Sequence, residues 1–495
     1  MRRMIIKKKW IEIINIYEEE FQKREKVGNY LIRFYTARAY TNLGKMDLAY
    51  NLWKSILWFK NARSQHLRLA MVLEGKEALL EIIMRDIEDN VPSANNCLEK
   101  YRTKYEYEDP VLTKVIQDLG SEFNVFHTKD NLTNLKKQNG FYWNDVLFKQ
   151  KGRLVQMVSP CGVVSWWMPE DYDLKNTHED LLRVCAHVLL KPITEHLLDD
   201  WSPTRKEGIR PGLALSCGID SVAALLLMPE NTVALHHRRA FRSMLKHSNA
   251  DVTMSELKNK KKWVIDSILS DHEVLRTTIG KQIGFSTDFA TCAHLILLAD
   301  YYQLDSIAVG MPIDNTYLRK GSSFRNFREE KRVWKYWSEL FGSIGLSYNS
   351  PLAGISQGGA LKIVKDAGLG DIVNSCLRGK LGEGCGICWK CFHKNGVLGR
   401  SFDPTAGEIK VLLQERPLKT AVHVTWVLQK LKLFDLVPDL KFLQSLDLSW
   451  WEKYYPPALE LLPEKYYEVQ KKSIEKYLDP MPEPYAIENI NLFND

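Results

Sequence analysis

Over the first 95 residues Leu, Ile, Tyr and Trp recur every three or four positions, and no proline precedes Pro92. That period is one face of an α-helix, so residues 1–95 read as helical throughout. Within them Ala37, Tyr40, Gly44, Ala49 and Trp53 set small and aromatic residues at hairpin spacing. The small residues let two antiparallel helices approach, and Gly44 turns the chain between them. The pattern becomes polar and mixed over 96–140. From 141 to 169 it alternates, with turns at Lys151-Gly152 and Cys161-Gly162, which predicts a small antiparallel meander. Residues 178–198 read as an amphipathic helix. From Gly212 to about 400, short apolar runs alternate with helical stretches. Leu213–Leu215, Thr232–Leu235 and Ser306–Val309 are strands, while Val222–Met228 begins a helix and Phe289–Tyr302 forms another. This alternation predicts an α/β domain on a parallel sheet. After 401 the chain is helical and aromatic-rich, ending in a segment with Pro480, Pro482 and Pro484, and it reads as a packing cap. The expected organisation is a helical region (1–95), a small β-rich region (96–175), an α/β domain (176–400) and a helical tail (401–495).

Apolar residues make up 45% and charged residues 26% of the 495, which suits a globular chain with substantial cores. No apolar run approaches the roughly 18 residues of a membrane helix. The basic N-terminus lacks the apolar stretch of a secretory signal. These features predict a cytoplasmic protein with no membrane partner. A net charge of +7 on this length gives no argument for nucleic acid.

The nine cysteines are unevenly placed, and four form the run Cys376-x8-Cys385-x2-Cys388-x2-Cys391. Four thiolates at such spacing suit tetrahedral Zn²⁺, with Gly379, Gly382, Gly384 and Gly386 letting the loop wrap a small ion. Arg378, Lys380 and Lys390 would offset the negative charge. An iron–sulfur cluster is the rival occupant. The scattered Cys97, Cys161, Cys185 and Cys292 read as buried thiols.

The second motif is Ser216-Cys217-Gly218-Ile219-Asp220-Ser221, between an apolar strand and a helix. A tight turn there points backbone N–H groups and a helix start at one place, which suits an anion. Ser216 and Ser221 add hydroxyls, and Gly218 allows close approach of a ligand. It is not a Walker loop, since no Gly-Lys here precedes Ser or Thr.

These residues carry resemblances. Ala37 to Trp53 resembles one tetratricopeptide repeat, with 10–31 and 64–88 as degenerate neighbours, and this implies a protein- or peptide-binding module. The Ser216–Ser221 loop resembles the Ser-Gly-Gly-x-Asp-Ser signature of the PP-loop ATP pyrophosphatases, with Cys217 at the position of the second residue. With Ser375-Cys376, Cys385-Gly386 and Cys391, it is similar to the 7-cyano-7-deazaguanine synthases, the QueC family, over about 210–400. The resemblance implies an adenine-nucleotide α-hydrolase-like fold and cleavage of ATP between its α- and β-phosphates. It implies that Ser216, Cys217, Gly218, Ile219 and Ser221 hold phosphates, that Asp220 works near Mg²⁺, and that Zn²⁺ occupies the cysteines. On the strand expected to face adenine, His236 and Arg238 are candidates for nucleotide contact. Further on, Gly310, Asp314, Tyr317 and Arg319 match parts of the family's substrate element. The family's Pro-Ala-Arg-Asn element is replaced by Asp288-Phe289-Ala290-Thr291. Lys320, Arg325, Arg328, Lys331 and Arg332 form a basic stretch that reads as a solvated face, or else as part of a lid.

The function so implied is adenylation of a small-molecule carboxylate, deazapurine-type or other, by Ser216, Asp220 and Ser221 with ATP. A nitrogen nucleophile then gives an amide or nitrile. The helical region adds a protein partner or protein substrate. Relatives of this kind occur in bacterial defence operons, which adds antiphage defence as a context. A catalytically weak nucleotide-binding scaffold and a tRNA-modifying PP-loop enzyme are the alternatives.

Overall fold

The computed structural model describes residues 4, 6–24, 29–59, 62–88, 91, 94, 97, 140–240, 247–279, 281 and 283–493. The chain divides into two compact units, 1–114 and 115–495. The polar stretch expected over 96–140 lies outside the described residues, apart from its two ends.

The first unit is a run of helices: α1 (Trp10–Arg24), α2 (Tyr30–Asn42), α3 (Met46–Lys54), α4 (Ala62–Leu73) and α5 (Lys76–Glu88). The Asn29 side chain caps α2 by accepting from the Leu31 N–H, which satisfies one of the orphan donors of a helix start. Gly44 makes the turn into α3 at φ +73°, where a glycine avoids the Cβ penalty. Ala37, Ala39 and Ala49 are fully buried and Trp53 nearly so, as the hairpin spacing requires. Ile13, Leu67, Leu79 and Ile83 complete this core. Buried Asp86 is held by Arg63 and Arg85.

The second unit is built on one eight-stranded sheet. In chain order its strands are β1 (Leu147–Lys151), β2 (Leu154–Ser159), β3 (Gly162–Trp167), β4 (Arg210–Ala214), β5 (Val233–Arg239), β6 (Val264–Ser270) and β7 (Leu304–Val309). A two-stranded ribbon, β8 (Leu318–Arg319) and β9 (Ser323–Phe324), precedes the short edge strand β10 (Ser347–Asn349). The spatial order is β1-β2-β3-β6-β5-β4-β7-β10. The five strands from β6 to β10 are parallel. The meander is antiparallel and joins the same sheet through Trp166 opposite Ser270 and Trp167 opposite Leu269.

Successive residues of the central strands enter different cores, as a period of two demands. Leu213, Ala234 and Ala308 face one layer, with α7 (Ile219–Leu227), α8 (Ser248–Asn259), α11 (Gln357–Asp366), α12 (Gly407–Gln414) and α13 (Ala421–Leu431). Val233, Leu235 and Ile307 face the other, with α6 (Glu179–Leu190), α9 (Ala293–Leu297) and α10 (Tyr336–Ser343). β7 is buried along its whole length. The tail forms part of the first layer: Trp426, Trp451, Tyr454 and Tyr455 share a core with α7 and α11. Just before α14 (Tyr467–Tyr477), Lys465 and Tyr466 hold buried Asp305 at the start of β7, the tyrosine hydroxyl at 2.6 Å.

Three elements differ from the sequence reading. The helix expected over Phe289–Tyr302 is a 3₁₀ turn, Asp288–Cys292, followed by the short α9. Strands β6 and β10 are additional to those read from the sequence: β10 is three residues long, and in β6 Asp266 and Ser267 split the apolar pairs.

Numbered along the chain, the parallel strands lie in the order 3-2-1-4-5. The order therefore reverses between β4 and β7, and ligands of open α/β sheets bind outside the strand ends at such a point. The Ser216–Ser221 loop leaves β4 there and Gly310 leaves β7. A Cβ on Gly310 would lie 2.8 Å from the Asp220 carbonyl carbon and from the Ser221 N and Cα. Gly310→Ala should therefore push the two strand ends apart. We expect a stability loss of ~1–3 kcal/mol, the usual cost of overpacking, measured as a lowered melting midpoint, together with loss of whatever anion affinity the loop has.

Candidate functional site

Between β4 and α7 the chain makes a tight turn. Cys217 sits at φ +61°, a conformation that costs a non-glycine residue roughly 1–2 kcal/mol. Its side chain is buried, with Sγ 3.8 Å from His236 Nδ1. The thiol therefore points under the loop into the core, and burial pushes its pKa up. The exposed side of the turn is left to backbone and to Ser216. The Ser216 and Ser221 hydroxyls lie 3.0 Å apart, and Ser221 Oγ donates to the Gly218 carbonyl at 3.1 Å. Gly218 caps α7, whose first N–H groups have no intrahelical acceptor. The first of them, from Ile219, donates to Ser375 Oγ at 3.0 Å.

Asp220, one residue into α7, is half-buried and meets Lys394, whose Nζ lies 2.5 Å from Asp220 Oδ2. Lys394 is buried, on the π-helical turn Cys391–Gly396. The partly buried Lys390 feels both groups, and its pKa is pushed down by burial and by the Lys394 charge. Asp314 lies beyond the end of β7. Its Oδ2 accepts the Gln357 N–H at the start of α11, 3.1 Å away. Burial, with the Asp220 charge adding to it, raises Asp314 from the ordinary 3.8 to about 7. Asp220 Oδ1 and Asp314 Oδ1 are buried without any hydrogen-bond partner.

The four clustered cysteines converge beside this point, with all four Sγ atoms within 4.8 Å of one another. Cys388 Sγ is 3.6 Å from those of Cys376 and Cys391, and Cys385 Sγ is 4.0 Å from that of Cys391. A tetrahedron with Zn–S bonds of ~2.3 Å has edges of about 3.8 Å, so the four could hold a metal ion such as zinc. The Cys385 and Gly386 N–H groups each donate to a cysteine sulfur at 3.3 Å, and Asn395 Nδ2 lies 3.6 Å from Cys391 Sγ. Donors of this kind stabilise thiolates and orient them. Asn249, on α8, ties the loop down through the Cys376 and Glu383 carbonyls and the Gly382 N–H.

The sequence-picked residues thus fall into two groups. Ser216, Gly218, Ile219, Asp220, Ser221, Gly310 and Asp314 gather at the strand ends, beside Cys376, Cys385, Cys388 and Cys391. His236 and Cys217 lie beneath the loop. His236 Nδ1 is 2.9 Å from the Leu215 carbonyl and its Nε2 is 3.0 Å from His247 Nδ1, and burial lowers its pKa to about 4. Arg238 pairs with Asp251, and Tyr317 is buried against Tyr455. Arg325 donates to the Thr316 and Asn315 carbonyls, and Arg328 pairs with Glu460, whereas Lys331 and Arg332 are exposed. Lys394 was not foreseen. A lysine three residues past the last cysteine is one helical turn on, and that spacing was the available signal.

A model of a family of unknown function (DUF6395) matches residues 336–487, a stretch that takes in the four cysteines and Lys394. No curated protein and no solved structure matches the chain.

Two outcomes follow from this geometry. Elemental analysis should find one metal ion per chain, and Cys388→Ser should lose it and melt lower, because structural metal sites contribute folding free energy directly. A buried carboxyl raised from 3.8 to about 7 binds its proton more tightly folded than unfolded, so its contribution to stability falls as pH rises between those values. Asp314→Asn should therefore melt higher than the parent above pH ~7, with the gap closing toward pH ~4.

Proposed function

We propose that the chain is an ATP-dependent enzyme of the PP-loop pyrophosphatase kind, similar to the 7-cyano-7-deazaguanine synthases. In this reading it adenylates a carboxylate, releases pyrophosphate and joins the acyl group to a nitrogen nucleophile. The observation that carries the reading is the meeting of its two motifs at one point. Residues 174 positions apart form the Lys394–Asp220 pair, and Ser375, next to Cys376, takes the Ile219 N–H. Motifs that shared a chain by coincidence would have no reason to touch.

ATP turns a carboxylate oxygen, a poor leaving group, into part of a good one. The rest falls to the chain. The α7 start and the Ser216 hydroxyl suit the oxygens of pyrophosphate. Lys394 offers a cation for the charge that grows as pyrophosphate leaves, held in place beforehand so that little reorganisation is needed. Asp220 and Asp314 present buried, unpartnered oxygens, and a divalent cation such as Mg²⁺ would relieve the desolvation and repulsion that raise Asp314. The four thiolates fit one Zn²⁺, since an iron–sulfur cluster of several irons would spread them further. Their ion would fix the loop that presents Ser375 and Lys394. The product is an amide of a deazapurine-type or other carboxylate, or a nitrile where a second ATP adenylates the amide oxygen so that it leaves with AMP, and a protein amine serves as an acceptor in a cytoplasmic, antiphage setting.

Lys394→Ala and Asp220→Ala should each slow pyrophosphate release by ~10²–10³, the usual effect of losing one preorganised charge-stabilising group, with metal content unchanged. Cys217→Gly should bind ATP as tightly as the parent, because the thiol faces His236. No binding of ATP with Mg²⁺, and no pyrophosphate with any of a panel of carboxylates, would overturn the reading.

A further inference from the structure

The modest net charge of +7 is unevenly spread along the chain. Between Arg319 and Lys335 seven cations stand against two carboxylates, a net +5 in 17 residues. The segment runs from the β8–β9 ribbon to the π-helical turn Lys331–Lys335, which leads into α10. Arg319, Lys320, Lys331, Arg332 and Lys335 are all exposed, and no ion pair engages any of the five among the described residues. Lys191, just past α6, lies over the Tyr336 ring at 4.1 Å and brings a sixth cation to the same edge.

Arg325 ties this segment to the candidate site. It donates to the Thr316 and Asn315 carbonyls at 2.5 and 2.6 Å, directly after Asp314. Burial lowers its pKa, and the charges of Glu330 and Arg319 both reach it, so the ribbon and the residue leading into the π-helical turn lie close to one guanidinium. The aromatic rings of the segment face inward. Trp334 packs on Tyr348 and Phe327 at 4.9 and 5.8 Å, and Phe324 packs on Tyr317 at 6.3 Å. The Tyr336 hydroxyl is 2.6 Å from His187 Nε2. From 315 to 345, all of them described residues, no large apolar side chain is exposed.

Charge without an apolar anchor narrows the choice of partner. Protein interfaces draw most of their affinity from buried aromatic and apolar anchors, and this face has none to offer. Single-stranded nucleic acid stacks its bases on aromatic rings, and here the rings are turned inward. The backbone of a duplex asks only for cations, whose binding releases the counterions condensed on its phosphates. Crowding like charges costs self-repulsion, which a polyanion relieves. We propose that this face, at the rim of the strand-end site, docks double-stranded nucleic acid through its phosphates without reading bases. The surface uses neither ATP nor a metal ion, so it stands or falls apart from the proposed activity.

Fluorescence anisotropy of the full chain with labelled duplexes of about 20 base pairs, DNA in one arm and RNA in the other, tests this. Two unrelated sequences of each should bind alike, because phosphate contacts carry no sequence information. Five phosphate contacts predict that the logarithm of the DNA binding constant falls with that of salt at a slope of about −4.5, a loss of ~10²–10³ between about 50 and 200 mM. The triple variant Lys331→Gln, Arg332→Gln, Lys335→Gln should bind at least ~tenfold more weakly at low salt, with the slope cut to about −2. Lys258, Lys260 and Lys261, an exposed run at the end of α8 just before β6 begins, supply the control. Changing those three to Gln should leave duplex binding within about twofold of the parent, since they lie at the other ends of the strands. A melting midpoint matching the parent confirms folding, and Lys331→Gln alone, read through the slope, replaces the triple variant if that one unfolds. Absence of duplex binding at low salt, equal weakening by the two triple variants, or tighter binding of a single strand or of poly-glutamate than of either duplex would each overturn the proposal.

Discussion

The arrangement at the strand ends depends on the buried contact between Lys394 and Asp220. Burying a charge is costly unless a partner and hydrogen bonds replace water, and breaking such a pair leaves the survivor uncompensated. The pair therefore locks the turn after Cys391 to the first turn of α7. The Ser375 hydroxyl, accepting the Ile219 N–H, is a second tie to the same helix start. The cysteine loop thus grips the Ser216–Ser221 turn on two sides, from residues that flank the sulfur cluster. Any ion held by the sulfurs would act on the loop through these two residues.

Cys217 shows how a side chain can be admitted at a turn that favours glycine. Its positive φ is paid for by the surrounding core, because the thiol fills space against His236 instead of facing solvent. His236 is in turn fixed by the Leu215 carbonyl and by His247, so the floor of the loop is a set of neutral, hydrogen-bonded rings. Around it, burial also holds His237, His272 and His294 below their ordinary pKa. The rigidity of the turn comes from below, and its upper side keeps its donors.

The tail matters for the same site through packing. Trp451 Nε1 donates to His423 Nδ1, 3.2 Å away, and His423 Nε2 reaches the carbonyl of His393, the residue before Lys394. The π-helical turn carrying Lys394 is therefore backed by α13 and by the aromatic segment after it. Trp426, Trp450 and Trp451 of the tail are accordingly buried.

Sequence alone determined the features whose partners are close along the chain. Spacings of eight, two and two residues force four cysteines into one small loop. A strand, a polar turn and a helix follow from a dozen consecutive residues, and the α2–α3 hairpin follows from Ala37, Gly44 and Ala49. Tertiary structure decided what depends on distant contacts. β10 is three residues long and β6 has its apolar pairs split by Asp266 and Ser267, and both are strands because neighbours supply their hydrogen bonds. The 3₁₀ turn at Asp288–Cys292 replaces helix where the chain packs between α6 and the sheet. The partnership of Lys394 with Asp220, and the inward aim of Cys217, required the 3-2-1-4-5 strand order to bring the ends of β4 and β7 together. Periodicity records which face a residue buries, and it carries no information about which distant residue waits there.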